Sequence, residues 1–383
     1  MRLKAFLSHK REDATPISAL REELCLRGIG GWQDTESLPL GQQTRRHIRR
    51  VIARDTGGFI WWGTPLVLGS QVVNKVEIPA ALKRKRREPG YPLVPVFAGL
   101  SPSRDAARMR SALGRRKASR LLELNGVVRG RDETLEDFVP RAAARYAADA
   151  VAGLKSSPIT VGFTTFRSPE PGQDLIFDWR PVFDEPTRTL TPGAEARIEE
   201  ALAGARSALQ STASQPHLVV DFDLPLPLAY LVGLRWSVIS RLRVEFRQLT
   251  GATERTISGD GDVAYPVESP DLSEVREGPV VVSVAAPTAI DAAAKRYAET
   301  IGAKHMLSLG VDRILEPAEF RGLARATAAT LKGLSDLGIE KHLLMRGPAA
   351  VSGLIGTAAN ATGWTEVPLW WRDRYINPLR LSS

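Results

Sequence analysis

The chain has 383 residues, 43% hydrophobic and 25% charged, the balance of a globular protein and too long for one ordinary core, so two domains are expected. Its net charge of +9 is uneven: residues 1–152 hold 28 Lys and Arg against 16 Asp and Glu, a net +12, and the rest holds 24 against 27, a net −3. The single cysteine excludes an intrachain disulfide, five scattered histidines give no metal-ligand cluster, and no GxGxxG or Walker pattern is present. The longest apolar run, Phe59 to Gly69, is too short to cross a bilayer, and MRLKAFLSHK lacks the apolar segment of a signal peptide, so the cytoplasm is the expected location.

In chain order, the first half alternates strands and helices. Leu3–Ser8 is a short apolar run fit for a buried parallel strand. Ile17–Arg27 has helical spacing, with Leu20, Leu24 and Cys25 inward, which makes Cys25 a buried thiol and not a nucleophile. Gly28–Trp32 reads as a turn into a second strand, Asp34–Gly41 as a polar loop, and Gln42–Ala53 as a helix. Gly58–Trp62 is a third strand. Val72–Lys85 is a helix interrupted near its middle by Pro79. Pro92–Phe97 is a fourth strand, Leu121–Leu124 a fifth and Thr134–Val151 a closing helix. Such alternation implies a parallel sheet with helices on both faces. The basic run Lys83 to Arg87 reads as a solvated helix end. No aromatic residues interleave with it as a nucleic-acid surface would want, which leaves self-association or ligand phosphates as other uses.

Gly153–Thr160 (GLKSSPIT) is short, polar and Pro-containing, and reads as the linker between domains at 1–152 and 161–383. The second half holds an internal echo. HLVVDFDLPLPLAYLVG at 217–233 and HLLMRGPAAVSGLIG at 342–356 each give His-Leu, apolar residues, a proline turn and a small-residue helix ending at glycine. Strand-like stretches follow, Arg243–Gln248 and Glu366–Trp371. A repeated strand–turn–helix implies two Rossmann-like halves, with ligands at the carboxyl ends of the strands beside helix N-termini.

The first half resembles the TIR family over about 150 residues. Lys4-Ala5-Phe6-Leu7-Ser8-His9 is similar to the family's first box, and Gly31-Trp32-Gln33-Asp34 with Pro39-Leu40-Gly41 to the second box and its mobile loop. SQVVNKVE at 70–77 is similar to the segment where enzymatic members place an aromatic residue and, four positions later, a glutamate. The resemblance implies a flavodoxin-like parallel-sheet domain that cleaves NAD+, with Glu77 catalytic. Breaking the glycosidic bond to nicotinamide puts positive charge on the ribose while the leaving ring becomes neutral. One carboxylate beside the sugar is therefore enough, and no general acid is required. Asn74, Lys75 and Lys83 would favour its ionised form if they pack nearby. The aromatic position is Val73 here, a departure from the family. Trp61 and Trp62 alternate in direction on a strand, and Trp62 is the expected stacking face. Ser8, His9 and Lys10, at a strand's carboxyl end, and Asp34, at the base of the loop, complete the expected substrate-binding set. In TIR enzymes a second TIR usually completes the site, so assembly acts as the switch.

The second half resembles a SAVED domain, the cyclic-oligonucleotide sensor of bacterial anti-phage CBASS effectors, through its HL…P…G units and the end Leu369-Trp370-Trp371-Arg372. The resemblance implies two fused Rossmann-like (CARF-like) halves and cyclic tri-adenylate as ligand. The pocket for such a ligand needs anion donors, stacking faces and tight turns. Its expected members are Asp223, Leu224 and Pro225, their echo Arg346, Gly347 and Pro348, and Arg235, Trp236, Trp370 and Arg372. TIR followed directly by SAVED is a known effector architecture, whose members assemble into filaments that destroy NAD+. The expected activity is thus a ligand-activated NAD+ glycohydrolase with no cofactor, no metal and no nucleic-acid duplex partner. A non-enzymatic TIR scaffold acting through residues 34–41, and a nucleic-acid-binding effector using the basic run, are the rivals. Glu77 is needed only by the enzyme.

Overall fold

A computed structural model describes residues 3–32, 44–168, 172–211, 215–237, 241–250, 253–258, 267, 269–275, 277–285, 291–310, 317–359, 361–371 and 374–382. The chain divides into two compact units. One comprises Met1–Ser156, Pro171–Asp178 and Ser207–Ser211, the other Ser157–Glu170, Trp179–Arg206 and Thr212–Ser383. The expected loop at 34–41 and its Asp34 lie outside the described residues, as does Arg372.

The first unit runs β1 (Lys4–Ser8), α1 (Ala14–Leu26), β2 (Gly30–Trp32), α2 (Thr44–Arg50), β3 (Gly58–Trp62), α3 (Ile78–Arg87), β4 (Leu93–Phe97), α4 (Ala106–Leu113), α5 (Arg115–Leu122), β5 (Val127–Val128) and α6 (Leu135–Ala152). The strands form one parallel sheet in the order β2-β1-β3-β4-β5, the flavodoxin-like doubly wound order. Every residue of β3 and β4 is buried, which is why these segments read as unbroken apolar runs and not as alternating ones. Helix α6 starts where Thr134 Oγ1 accepts the Asp137 N–H at 3.1 Å, a cap worth about 1 kcal/mol. It then buries Phe138, Ala142, Tyr146 and Ala150 along one stripe.

Three expectations are corrected. Leu121 and Leu122 close α5, and the fifth strand is Val127–Val128. The two leucines serve as the inward stripe of an amphipathic helix. Pro79 does not break its helix in the middle: it sits in the first turn of α3, directly after a π-helical turn at Val73–Glu77. Proline has no N–H to give the carbonyl four residues back, and the wider turn ahead of it absorbs that loss. Cys25 is half-buried and not enclosed.

The basic run is likewise only partly solvated. Lys83, Arg86 and Arg87 are exposed, but Arg84 is buried. Its Nη1 donates to the carbonyls of Ile52 (2.7 Å) and Thr56 (2.5 Å), its Nε meets Glu88 at 3.0 Å, and its guanidinium lies 4.3 Å from the centre of the Tyr91 ring. Arg84 thus closes the end of a second π-turn, Val51–Asp55, by donating to one carbonyl inside it and one just past it. Burial pushes the Tyr91 hydroxyl up to about 12.

The remaining elements are β6 (Ile159–Thr164), β7 (Leu175–Asp178), β8 (Phe183–Asp184), β9 (Thr189–Leu190), α7 (Ala194–Gln210), β10 (His217–Asp223), α8 (Leu226–Arg235), β11 (Arg243–Thr250), β12 (Thr253–Ser258), β13 (Val280–Ala285), α9 (Asp291–Ile301), β14 (His305–Gly310), α10 (Pro317–Asp336), β15 (Lys341–Arg346), α11 (Ala349–Ala358), β16 (Trp364–Trp371) and β17 (Arg374–Ser382). Ile159 and Thr160, read from sequence as linker, already belong to a strand.

The sequence echo is a structural repeat. In one half, β10 lies between β6 and β11, parallel to both, and β12 returns antiparallel to β11. In the other, β15 lies between β13 and β16, parallel to both, and β17 returns antiparallel to β16. The helices that follow the two central strands, α8 and α11, pack backbone to backbone. A Cβ on Gly233 would stand 1.9 Å from the Gly353 carbonyl oxygen, and one on Gly356 would stand 2.2 Å from that of Tyr230. Only glycine allows that approach, which explains why both copies of the echo end in glycine.

Candidate functional site

Two regions hold the predicted site residues. In the first unit they gather where β1 and β3 end. Ser8 is the last residue of β1 and lies opposite Trp61 of β3. Glu77 is the last residue of the π-turn ahead of α3. The two meet: Ser8 Oγ donates to Glu77 Oε2 at 2.6 Å, with Ser8 1% and Glu77 3% exposed. A buried carboxylate is tolerated only when hydrogen-bonded, and Ser8 supplies one such bond. Val73 is buried, and its N–H donates to Ser70 Oγ at 3.3 Å. Asn74 Nδ2 donates to the Leu68 carbonyl at 2.6 Å, and Lys117 Nζ reaches the Asn74 carbonyl at 3.2 Å. Lys75 and Lys83 are exposed.

His9 is a turn histidine whose Nδ1 lies 2.8 Å from the Leu7 carbonyl oxygen, and Lys10 stands 4.0 Å from Glu12. The two tryptophans of β3 point to opposite faces. Trp61 joins the core cluster that contains Val73, Val76 and Ile78, and meets Phe97 edge-on at 5.7 Å. Trp62 is 1% exposed and packs on Phe138 of α6 at 5.8 Å. Sequence alternation separated the pair, but the face shared with the segment that carries Glu77 is that of Trp61, because α3 and α6 cover opposite sides of the sheet.

Sequence reasoning missed Asp13 and Thr64. Asp13 is buried at the start of α1, and its Oδ2 accepts from Thr64 Oγ1 at 2.9 Å just beyond β3. The signal was available in principle: both follow strands that end at the sheet's carboxyl edge. A wider recess of about 680 Å³ elsewhere in this unit, walled by Phe97, Leu122, Val127 and Arg141, contains none of the predicted residues.

In the second unit the two echo turns have the same local build. Pro225 and Pro348 are the N-caps of α8 and α11, both extended, with φ −56° and ψ 145° in one and φ −65° and ψ 140° in the other. Each proline carbonyl accepts the N–H groups three and four residues on. Leu226, Arg346, Gly347 and Pro348 line one small recess, and Ser352 Oγ of α11 donates to the Leu226 carbonyl at 2.6 Å, so the two turns lie side by side. Gly347, at φ +155°, supplies backbone freedom in one of them.

Their side chains differ. Asp223 is engaged: its Oδ2 accepts from Thr164 Oγ1 (3.0 Å) and the Arg167 N–H (2.8 Å) in the loop after β6. Arg346 is exposed, with its guanidinium 5.3 Å from the Trp370 ring centre. Leu224 and Trp236 are core, the Trp236 Nε1 donating to the Leu202 carbonyl at 3.2 Å. Arg235 pairs with Glu199 and donates to the Ser382 carbonyl at 2.6 Å. Of the predicted set, the structure therefore brings Pro225, Arg346, Gly347, Pro348 and Trp370 to one place, and keeps Arg235 and Trp236 in structural roles.

A cavity of about 280 Å³ adjoins the first turn. Pro225, Pro227, Leu228, Leu369 and Leu379 give it apolar walls, and Arg188 and Glu195 give it polar ones. Burial, and then repulsion from Glu199, raise the Glu195 carboxyl above its usual range. Arg188 and Glu195 had no motif to mark them, since they reach the cavity from a β8–β9 turn and from the first turn of α7.

Among the described residues no group of three or more His, Cys, Asp or Glu is placed to hold a metal, and no helix is long and apolar enough to cross a membrane. The molecule is thus a mixed α/β protein with parallel sheets, doubly wound in its first unit and duplicated in its second.

No protein-family model and no curated protein matches the chain. Among solved structures it is similar to the Acinetobacter baumannii Cap4 SAVED/CARF-domain containing receptor with the cyclic trinucleotide 2'3'3'-cAAA, at 14% identity and a TM-score of 0.49, over 89% of this chain and 85% of that chain. The same receptor with 3'3'3'-cAAA gives 14% and 0.47, over 89% and 85%. The Moraxella osloensis Cap4 SAVED/CARF-domain containing receptor gives 12% and 0.47, over the same shares of 89% and 85%.

Proposed function

We propose that this chain is an NAD+ glycohydrolase of anti-phage defence, switched on by a cyclic oligonucleotide. The observation that carries the proposal is the buried Glu77 carboxylate at the carboxyl edge of the doubly wound sheet, hydrogen-bonded to Ser8. Cleavage of the nicotinamide–ribose bond develops positive charge on the sugar, and a fixed carboxylate beside it stabilises that charge without supplying a proton. In the second unit the paired proline turns, the exposed Arg346 over Trp370 and the adjoining cavity offer what a cyclic oligonucleotide needs: a cation for phosphate, an aromatic face for a base, and backbone that allows close approach. Ligand binding drives head-to-tail assembly, and neighbouring first units complete each other's sites. Contacts of that kind do not close and so give filaments.

The test is incubation of the protein with NAD+ and a panel of cyclic di- and trinucleotides, starting with the two cyclic triadenylates bound by the similar receptors. Nicotinamide is followed by chromatography and assembly by light scattering. The expected result is nicotinamide release only in the samples that scatter. Scattering without nicotinamide would instead make the chain a scaffold, and neither signal would remove the proposal.

A further inference from the structure

We infer that Ser8 is a positioning residue that fixes the catalytic carboxylate of Glu77, and not a substrate contact; the inference rests on the glycohydrolase reading above. The geometry sets a rigid element against a less regular one. Ser8 closes a strand held in register with β3 on one side and flanked by β2 on the other. Glu77 closes a π-turn, a widened turn that interrupts the α-helical spacing ahead of α3. The Ser8 hydroxyl spans the two at 2.6 Å and is itself buried.

A hydroxyl donating to one oxygen of a carboxylate restricts where that oxygen sits and so narrows the orientations open to the group. For a reaction helped by one negative charge near a developing cation, direction matters as much as presence, because the charge must already be in place when the bond breaks. With its one proton engaged on Glu77, the hydroxyl has none left to donate to a sugar. Ser8 therefore acts through Glu77, and its removal should be felt in turnover more than in NAD+ binding.

The experiment compares the full-length wild type with Ser8→Ala, Ser8→Cys and Ser8→Thr, each activated by the cyclic nucleotide, reading kcat and KM for NAD+ and the melting temperature. Cysteine keeps the volume and replaces the hydroxyl with a weak donor, so it guards against a fold lost to a cavity. Ala and Cys should each lower kcat by about 10- to 100-fold with KM within about twofold, and Thr should restore most of the turnover. A rise in KM at unchanged kcat would overturn the inference in favour of direct substrate contact. Full turnover in Ser8→Ala or Ser8→Cys would reduce the hydrogen bond to a tie between β1 and the π-turn. A wild-type chain that releases no nicotinamide overturns the glycohydrolase reading and this inference with it. An active wild type with an active Ser8→Ala overturns the inference alone.

Discussion

The two units reach their candidate sites by different physical routes. In the first, two side chains from distant positions come together at the edge of one sheet, and the feature of interest is the buried hydrogen bond between Ser8 and Glu77. In the second, the same backbone device occurs twice, a strand ending in a proline-capped helix, and the copies are joined by glycine contacts between α8 and α11. A site of the first kind depends on the chemistry of one group. A site of the second kind depends on how closely two backbones approach, and side chains are added to a frame that exists without them. The first should therefore be fragile to conservative substitution of one side chain, and the second to added bulk.

The sharpest break of that contrast is Glu77→Gln. It should lower nicotinamide release at least about 100-fold and leave the thermal shift produced by the cyclic nucleotide intact, read by chromatography and by melting curves. Retained turnover would move the chemistry elsewhere. Next, Gly233→Ala drives a methyl group into the Gly353 carbonyl and should destabilise the chain by about 3 kcal/mol in urea titrations. Gly204→Ala, inside α7 with nothing within 4 Å of the added carbon, should instead gain about 0.5–1 kcal/mol. Equal effects would show that α8 and α11 are not in backbone contact. Arg346→Ala, which leaves the turn intact and removes its exposed cation, should weaken ligand binding about tenfold and flatten its salt dependence, as calorimetry at two ionic strengths would register.

The smallest effect concerns Lys341. Burial holds its amine below the usual lysine range. The folded chain therefore binds this proton less readily than the unfolded chain. Between the lowered folded value and the ordinary one, stability rises with pH, and below that window the whole penalty is present. Lys341→Met should raise the melting temperature at pH 7 by about 1–3 °C, an advantage that fades as the pH climbs into the ordinary lysine range. A pH-independent gain would assign it to packing alone.

Much of this was legible in the residues themselves. The runs at β1, β3 and β4 marked a parallel sheet because full burial leaves no polar alternation. The His-Leu echo marked a duplication because turn and helix signals repeated together. What escaped depends on partners far away in sequence. Nothing local says that Ser8 reaches Glu77, that Arg84 in a string of five basic residues is the one that becomes buried, or that Arg235 is taken up by Glu199. Val127–Val128 is too short for any periodicity, so the neighbouring leucines drew the expected strand toward themselves.

The repeated turn carries opposite signs in its two copies. Asp223 stands in one, with its charge spent on the loop after β6, and Arg346 stands in the other, open to solvent. Duplication kept the scaffold twofold but left the electrostatics lopsided. On the proposed reading, an anion with its own internal repetition would meet one gripping arm and one that repels it, and its complex would take a polarity which the backbone alone could not impose.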